Sequence, residues 1–350
     1  MNILKASPLF AFLLFFGHLS QAQTGPGGVG NTLGTGQPRN VLWLEANSLS
    51  LADGANILTW TDRSGNNNNL TAAAATSPVF NNTTTPPNGL GYARFNKTDN
   101  RIVINSFTDM PQSGLTTIIV YRTSVAGTGL VSYAFSDAQA DEYLLRNSDA
   151  LRTTIDGLTD QSTIATNNNN WRIVLNSWEN IDGRLNYHVD GAESGGSFRL
   201  TNGFQVGDNI ENGGTLAIGN DQDLLNGGYQ TADALQGDIA EVIMYDRKLN
   251  DAQVRIINNY LSSKYGVTIA NDIYVGDTPA NGNFDFQVGG VGQINGTIHG
   301  EANSAGLILT GVTYAATSFV MHGHNNVANS VSTANLPGGV AQRWNRSWFI

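Results

Sequence analysis

The sequence predicts an all-β fold: a jelly-roll β-sandwich with one closing helix, followed by a second, smaller β domain. Three observations carry this. From Asn40 onward, short apolar stretches are separated by clusters of Asn, Asp and Gly, as regular short strands with amide-rich turns require. Several of the stretches alternate with period two, for example Leu185, Tyr187 and Val189, which is the pattern of a strand with one covered face. Residues 250–264 alone break that pattern and carry helix signals at both ends.

The elements follow in order. The first 22 residues hold Lys5, an apolar run from Leu9 to Phe16, and Ser20-Gln21-Ala22 before Gln23, the layout of a secretory signal peptide. The run is too short for the roughly 20 residues that cross hydrocarbon, so the expected chain is exported, secreted or at a cell surface, without a membrane span. Residues 23–39, rich in Gly, Thr and Pro, show no apolar period and read as a flexible leader. The sandwich is expected over 40–270. Its strand-like segments include Val41–Leu44, Ile57–Trp60, Arg101–Ile104, Thr116–Tyr121, Trp171–Trp178, Arg184–Val189, Thr215–Ile218 and Gly237–Tyr245. Asn250 can cap the helix with Gln253 as its capping-box partner, Val254, Ile257 and Leu261 fall on one face, and Gly266 ends it. A β-rich module is expected over 271–350, with strands at Phe284–Val288, Leu307–Thr310, Ser318–Gly323 and Arg343–Ile350. The chain stops inside the last of these, which leaves two readings: an incomplete module or an edge strand. The runs Asn66–Asn69 and Asn167–Asn170 read as solvated turns, because Asn tolerates the left-handed conformation.

Composition narrows function. The 350 residues carry a net charge of −10 with no basic run, against the clustered Lys and Arg that phosphate contacts need. The absence of Cys removes thiolate metal sites, disulfides and thiol nucleophiles.

The residues carry a family likeness. Val41-Leu42-Trp43-Leu44-Glu45-Ala46, then Asp62-Arg63-Ser64-Gly65-Asn66, resembles the opening of concanavalin A-like lectin/glucanase domains of the laminin-G or pentraxin type in bacterial surface proteins. Asn186 to Gly191 resembles their central strand pair ending in an Asp-Gly turn, and Leu216–Asn220 with Leu235–Tyr245 resembles their last two strands. Leu249 to Val267 is similar to the helix that closes such domains in exported proteins of the type IX secretion kind. The likeness covers about residues 40–270. The residues beyond it, with Gly323-His324-Asn325 and Arg343 to Trp348, resemble an uncharacterised β-rich module, and the sorting domain usual in such proteins is missing. The resemblance implies recognition or cell adhesion, with calcium often held at the sandwich rim.

Glycanases on this fold need two carboxylates on one strand face about 5 Å apart. The seven Glu, at 45, 142, 179, 193, 211, 241 and 301, have no carboxylate two residues away. Asp238 with Glu241 is the nearest imitation, and its odd spacing predicts opposite faces. His188 reads as a rim residue. His322 and His324 share one side of a strand and could chelate a metal, but no third ligand is evident, and a hydrogen-bonded structural role is favoured. No nucleophile elbow or phosphate loop is present.

Calcium is the metal that the chain's oxygen donors suit. Val206-Gly207-Asp208-Asn209 and Gly219-Asn220-Asp221-Gln222-Asp223 are dense in them, so Asp208, Asp221 and Asp223 are the candidate ligands. Sugar binding calls for exposed rings flanked by hydroxyl-reading groups. Tyr229, with Asn226 nearby, and Tyr143, beside Asp141-Glu142, are the candidates. Trp43, Trp60, Trp171 and Trp178 lie in strand-like runs and are expected in the core. The preferred function is a non-catalytic recognition module for glycan or a surface protein; a glycoside hydrolase of the same fold and a structural spacer are the alternatives.

Overall fold

The structure, a computed structural model, describes residues 24–30, 36–96, 98–304, 306–311, 316–328 and 330–350. The signal peptide expected over residues 1–22 lies outside them.

Two eight-stranded antiparallel sheets form the sandwich. Its strands in chain order begin β1 (Asn40–Glu45), β2 (Thr59–Trp60), β3 (Leu70–Thr71), β4 (Val79–Asn81), β5 (Tyr92–Asn96) and β6 (Ile102–Phe107). There follow β7 (Gly114–Thr123), β8 (Gly129–Ala134), β9 (Tyr143–Arg146), β10 (Arg152–Ile155) and β11 (Leu158–Gln161). The last are β12 (Arg172–Glu179), β13 (Arg184–Val189), β14 (Phe198–Thr201), β15 (Gly214–Ile218) and β16 (Gln236–Tyr245). Sheet one runs β14-β13-β12-β7-β16-β5-β4 with β1 paired to β16; sheet two runs β11-β10-β9-β8-β15-β6-β3-β2. Between them lies one core with Trp60, Phe107, Tyr133, Tyr143, Trp178 and Tyr187 fully buried.

Helix α1 (Asp251–Tyr265) covers the other face of sheet one. The predicted capping box is present, with Asn250 accepting from the Gln253 amide and Gly266 left-handed at φ 66°. Because sheet one is covered on both sides, its central strands are almost continuously apolar rather than alternating. In β7, Ile119 and Tyr121 face the sandwich core while Ile118 and Val120 face the helix.

The remaining strands are β17 (Phe286–Ile294), β18 (Thr297–His299), β19 (Glu301–Ser304), β20 (Leu307–Thr310), β21 (Ser318–His324), β22 (Val331–Ser332), β23 (Arg343–Trp344) and β24 (Trp348–Phe349). They form a sheet β18-β17-β21-β24 and two hairpins. Val288 and Met321 join the helix residues Ile256 and Tyr260 in a second apolar cluster, so α1 is buried nearly all round instead of on one stripe. The strand expected at Arg343–Ile350 is not continuous: β23 pairs with β22 and β24 with β21, the chain turning between them where Ser347 N–H reaches the Asn325 side chain.

The leader expected over 23–39 is not free in its first described part. Thr24–Gly30 is buried, Thr24 N–H donates to Asn303 O at 3.0 Å, and Tyr245 OH donates to Val29 O at 2.9 Å. Glycine here permits close approach: a Cβ on Gly28 would lie 2.7 Å from Ala302 Cβ. The run Asn66–Asn69 is likewise a clamp more than a solvated turn. Asp62 accepts Trp43 N–H at 2.9 Å and Asn68 N–H at 2.9 Å, while the Asn68 side chain donates to Val41 O at 2.8 Å.

Asp238 and Glu241 were expected on opposite faces and share one. A bulge between Ile239 and Glu241 inserts an extra residue, so they pair with Arg122 and Val120, two apart on β7. Both carboxylates are neutralised. Asp238 takes Arg94 at 2.9 Å and Arg122 at 2.7 Å. Glu241, wholly buried, accepts from Trp43 Nε1 at 2.7 Å, Tyr260 OH at 3.1 Å, Tyr265 OH at 2.6 Å and Lys264 Nζ at 2.6 Å. Replacing Lys264 by Met leaves that carboxylate without its cation and is expected to lower stability by about 3 kcal/mol. Asn250→Ala, which removes only a cap, is expected to cost about 1 kcal/mol. Denaturant unfolding of both variants checks the ranking.

Candidate functional site

The face of sheet two that points away from α1 carries four of the six predicted residues: Asp221, Asp223, Asn226 and Tyr229. On β8 and β9, Val131, Tyr133 and Leu145 enter the core, which turns Ser132 and Arg146 outward by strand alternation. The segment 219–230 leaves β15 and runs back over that outer surface. Gln222 Nε2 donates to Ser132 O at 3.2 Å and Thr215 O at 3.0 Å, and Leu225 N–H donates to Asp137 Oδ1 at 3.0 Å. That last bond joins the segment to the β8–β9 loop, whose Asp137, Gln139 and Asp141 line a cavity of about 230 Å³ together with Asp156 of the β10–β11 turn.

Asp221 is buried beneath the segment and pairs with Arg146 at 2.9 Å. Burial, then the neighbouring Asp141, push its carboxyl up to about 6, while Arg146 pulls it back. Burial also raises Asp141, with Asp223 adding to it. Calcium does not fit these residues as they are built. Arg146 already neutralises Asp221; Gln222 Oε1 accepts Tyr229 OH at 3.2 Å, Asn220 Oδ1 accepts Asp221 N–H at 2.9 Å, and Asp223 accepts from Gln230. Asp208 does not join them: its carboxylate accepts Asn209 N–H and raises the pKa of Asp156. Among the described residues no group of three His, Asp or Glu gathers to hold a metal ion.

The sugar-binding candidates divide. Tyr143, expected as an exposed ring, is a core residue, wholly buried, its OH donating to Asn176 Oδ1 at 3.1 Å; it opens β9, whose alternation turns the ring inward. Tyr229 is half-buried, and the Arg101 guanidinium lies 4.0 Å from its ring centroid, which covers one stacking face. Asn226 is exposed and left-handed at φ 59°, with its side-chain oxygen taking the Thr215 hydroxyl.

Sequence reasoning missed the carboxyl pair Glu142 and Glu211. Glu142 is fully buried, accepts Glu211 N–H at 2.6 Å, and meets the Glu211 carboxyl. Burial first, and Glu211 next, raise Glu142 to about 8, so Glu142 keeps its proton at neutral pH. Sixty-nine residues separate them, and no local pattern could have paired them.

The histidines are structural. His188 Nδ1 meets Ala192 O at 3.0 Å, His322 Nε2 meets Ser304 O at 3.0 Å, and His324 Nε2 meets Gln287 Oε1 at 3.1 Å. Burial lowers the pKa of all three.

Two antiparallel sheets, one closing helix and a loop folded over the free sheet face define a lectin-like jelly roll. The chain belongs to the pentaxin family, whose sequence profile matches residues 96–271. It is 27% identical over 88 residues to C-reactive protein 1.1 of Limulus polyphemus, a match covering 25% of this chain and 35% of that protein. It is 28% identical over 142 residues to the human neuronal pentraxin receptor, covering 39% of this chain and 28% of that one. The chain thus spans about a third of the length of these curated relatives. The native heptameric SAP-like pentraxin of Limulus polyphemus superposes with a TM-score of 0.41 at 17% identity, over 64% of this chain and 95% of that one.

Two outcomes follow from the electrostatics. Glu142 has a folded pKa above its ordinary 4.5, so its contribution to stability is full below about 4.5 and is lost as pH rises through about 8. Glu142→Gln is expected to gain stability over the parent progressively across that window, read by thermal unfolding at stepped pH. Calcium and a chelator are expected to leave the parent's unfolding temperature unchanged, whereas Arg146→Met, which strips Asp221 of its cation, becomes calcium-sensitive.

Proposed function

We propose that the chain is a non-catalytic extracellular recognition module that binds carbohydrate through the outer face of sheet two and the loops beside it. The supporting observation is the concavity lined by Asp137, Asp141 and Asp156 next to the exposed Asp223, Asn226 and Gln230. Carboxylates and amides on a rigid sheet accept from and donate to sugar hydroxyls, and loops on a stiff scaffold are where binding residues concentrate. The hydrolase alternative is weakened by the fate of the carboxylates: Asp238 is held by two arginines, Glu241 is sealed in the interior, and the Glu142–Glu211 pair is inaccessible at Glu142. Export by the signal peptide and display at a cell surface belong to the same reading, as does a role as spacer for the residues beyond 270.

The clustered carboxylates favour one second reading, a basic protein surface as partner. A glycan array probed with the full exported chain separates the two. Carbohydrate recognition is expected to survive raised salt and to fall with Asp141→Asn and Asp223→Asn. Binding only to basic polypeptides, lost steeply with salt, would replace the carbohydrate reading, and no binding to either class would leave the spacer role.

A further inference from the structure

On the opposite side of the molecule, β1, α1 and the segment leading into β17 enclose a second cavity of about 220 Å³. We infer that it binds a single neutral sugar residue, at a site separate from the outer face of sheet two and independent of what that face binds.

Its floor is charge-balanced. Glu45 stands directly opposite Glu241 in the β1–β16 ladder. Lys264 directs its ammonium to Glu241 Oε2 at 2.6 Å, Tyr260 OH at 2.8 Å and Glu45 Oε1 at 3.1 Å, which uses all three N–H groups. Arg63 pairs with Glu45 and lies 4.8 Å from the Trp43 ring centroid. Two carboxylates are thus matched by two cations, and nothing on the floor calls for an ion.

The wall is built by a bulge. Phe286 and Gln287 are consecutive, yet both line the cavity, which ordinary strand alternation forbids. A register shift between Phe286 and Gly289, with Gln287 left-handed at φ 47°, makes it possible. Bulges and non-glycine left-handed residues of this kind recur where side chains are re-aimed toward ligands. They bring the half-buried Phe286 ring beside Asp285 and Asn283, facing Asn47 and Arg63 across the opening.

Size and chemistry then select the ligand. The volume exceeds the roughly 150 Å³ that admits a benzene ring and falls below the roughly 300 Å³ at which drug-sized pockets begin, so one six-membered ring fits. One face of the Phe286 ring stacks on His324 and Asp285 takes the Asn283 amide; the other ring face, the remaining lone pairs of that carboxylate and the Asn47 amide nitrogen suit the apolar face and hydroxyls of a pyranose.

The test uses the full exported chain and the methyl glycosides of glucose, galactose and mannose, followed by saturation-transfer NMR and thermal unfolding. At least one glycoside is expected to bind and to raise the unfolding temperature. Asp285→Asn, which keeps the side chain's shape, and Phe286→Ala are each expected to weaken it about tenfold, as loss of one charged hydrogen bond or one ring contact would. Asp141→Asn and Asp223→Asn are expected to leave it unchanged. Failure of all three glycosides, survival of binding in both Asp285→Asn and Phe286→Ala, or equally tight binding of glucosamine or glucuronate would overturn the inference.

Discussion

Burial of sheet one on both faces is the constraint on which the rest of the molecule depends. A strand covered on one side can alternate; one covered on two must be apolar throughout, and any polar group it carries has to be satisfied inside. Glu241 is such a group, a charge with no exposed surface. Its four donors come from β1 and α1, so the charge that would be costliest to leave unpaired also fixes how the helix sits on the sheet. The helix, held there, presents its other side to Thr24–Gly30 and to β17.

The two faces of the sandwich therefore differ in kind. The helix side is mostly covered by apolar packing, and the carboxylates at its one cavity, Glu45 and the neighbouring Glu241, are matched by Arg63 and Lys264. On sheet two, carboxylates outnumber cations around the 219–230 segment, and Arg146 is the group that keeps Asp221 ionised in a buried place. That asymmetry suits recognition on the open face and assembly with the remainder of the chain on the other. Membership of the pentaxin family is established over residues 96–271, which include most of both sheets and α1.

Much of the architecture was legible from residues in sequence. The helix with both caps, the period-two run Leu185–Tyr187–Val189 and the strand at Leu307–Thr310 depend on local chemistry, and local chemistry is what a sequence displays. The errors came from long-range contacts. Glycine-rich Thr24–Gly30 has the composition of a linker, but its glycines serve close packing on Ala302 and Ile256. Asp238 and Glu241 change their relative faces because of one inserted residue whose effect is visible only against β7. Tyr143 stands beside two acids in sequence, and β9 turns its ring inward. Asp221 and Asp223 sit together as the sequence suggests, whereas the Arg146 that neutralises Asp221 is 75 residues away.

The anchoring of both flanks to one helix has a mechanical consequence. Thr24 is tied to Asn303, and Ile273 and Tyr274 donate to the Asn259 side chain of α1. A pull on Thr24–Gly30 or on Ile273-Tyr274 is therefore passed to α1 and to the strands packed on it. The outer face of sheet two, where recognition is proposed, lies across the sandwich core from those ties.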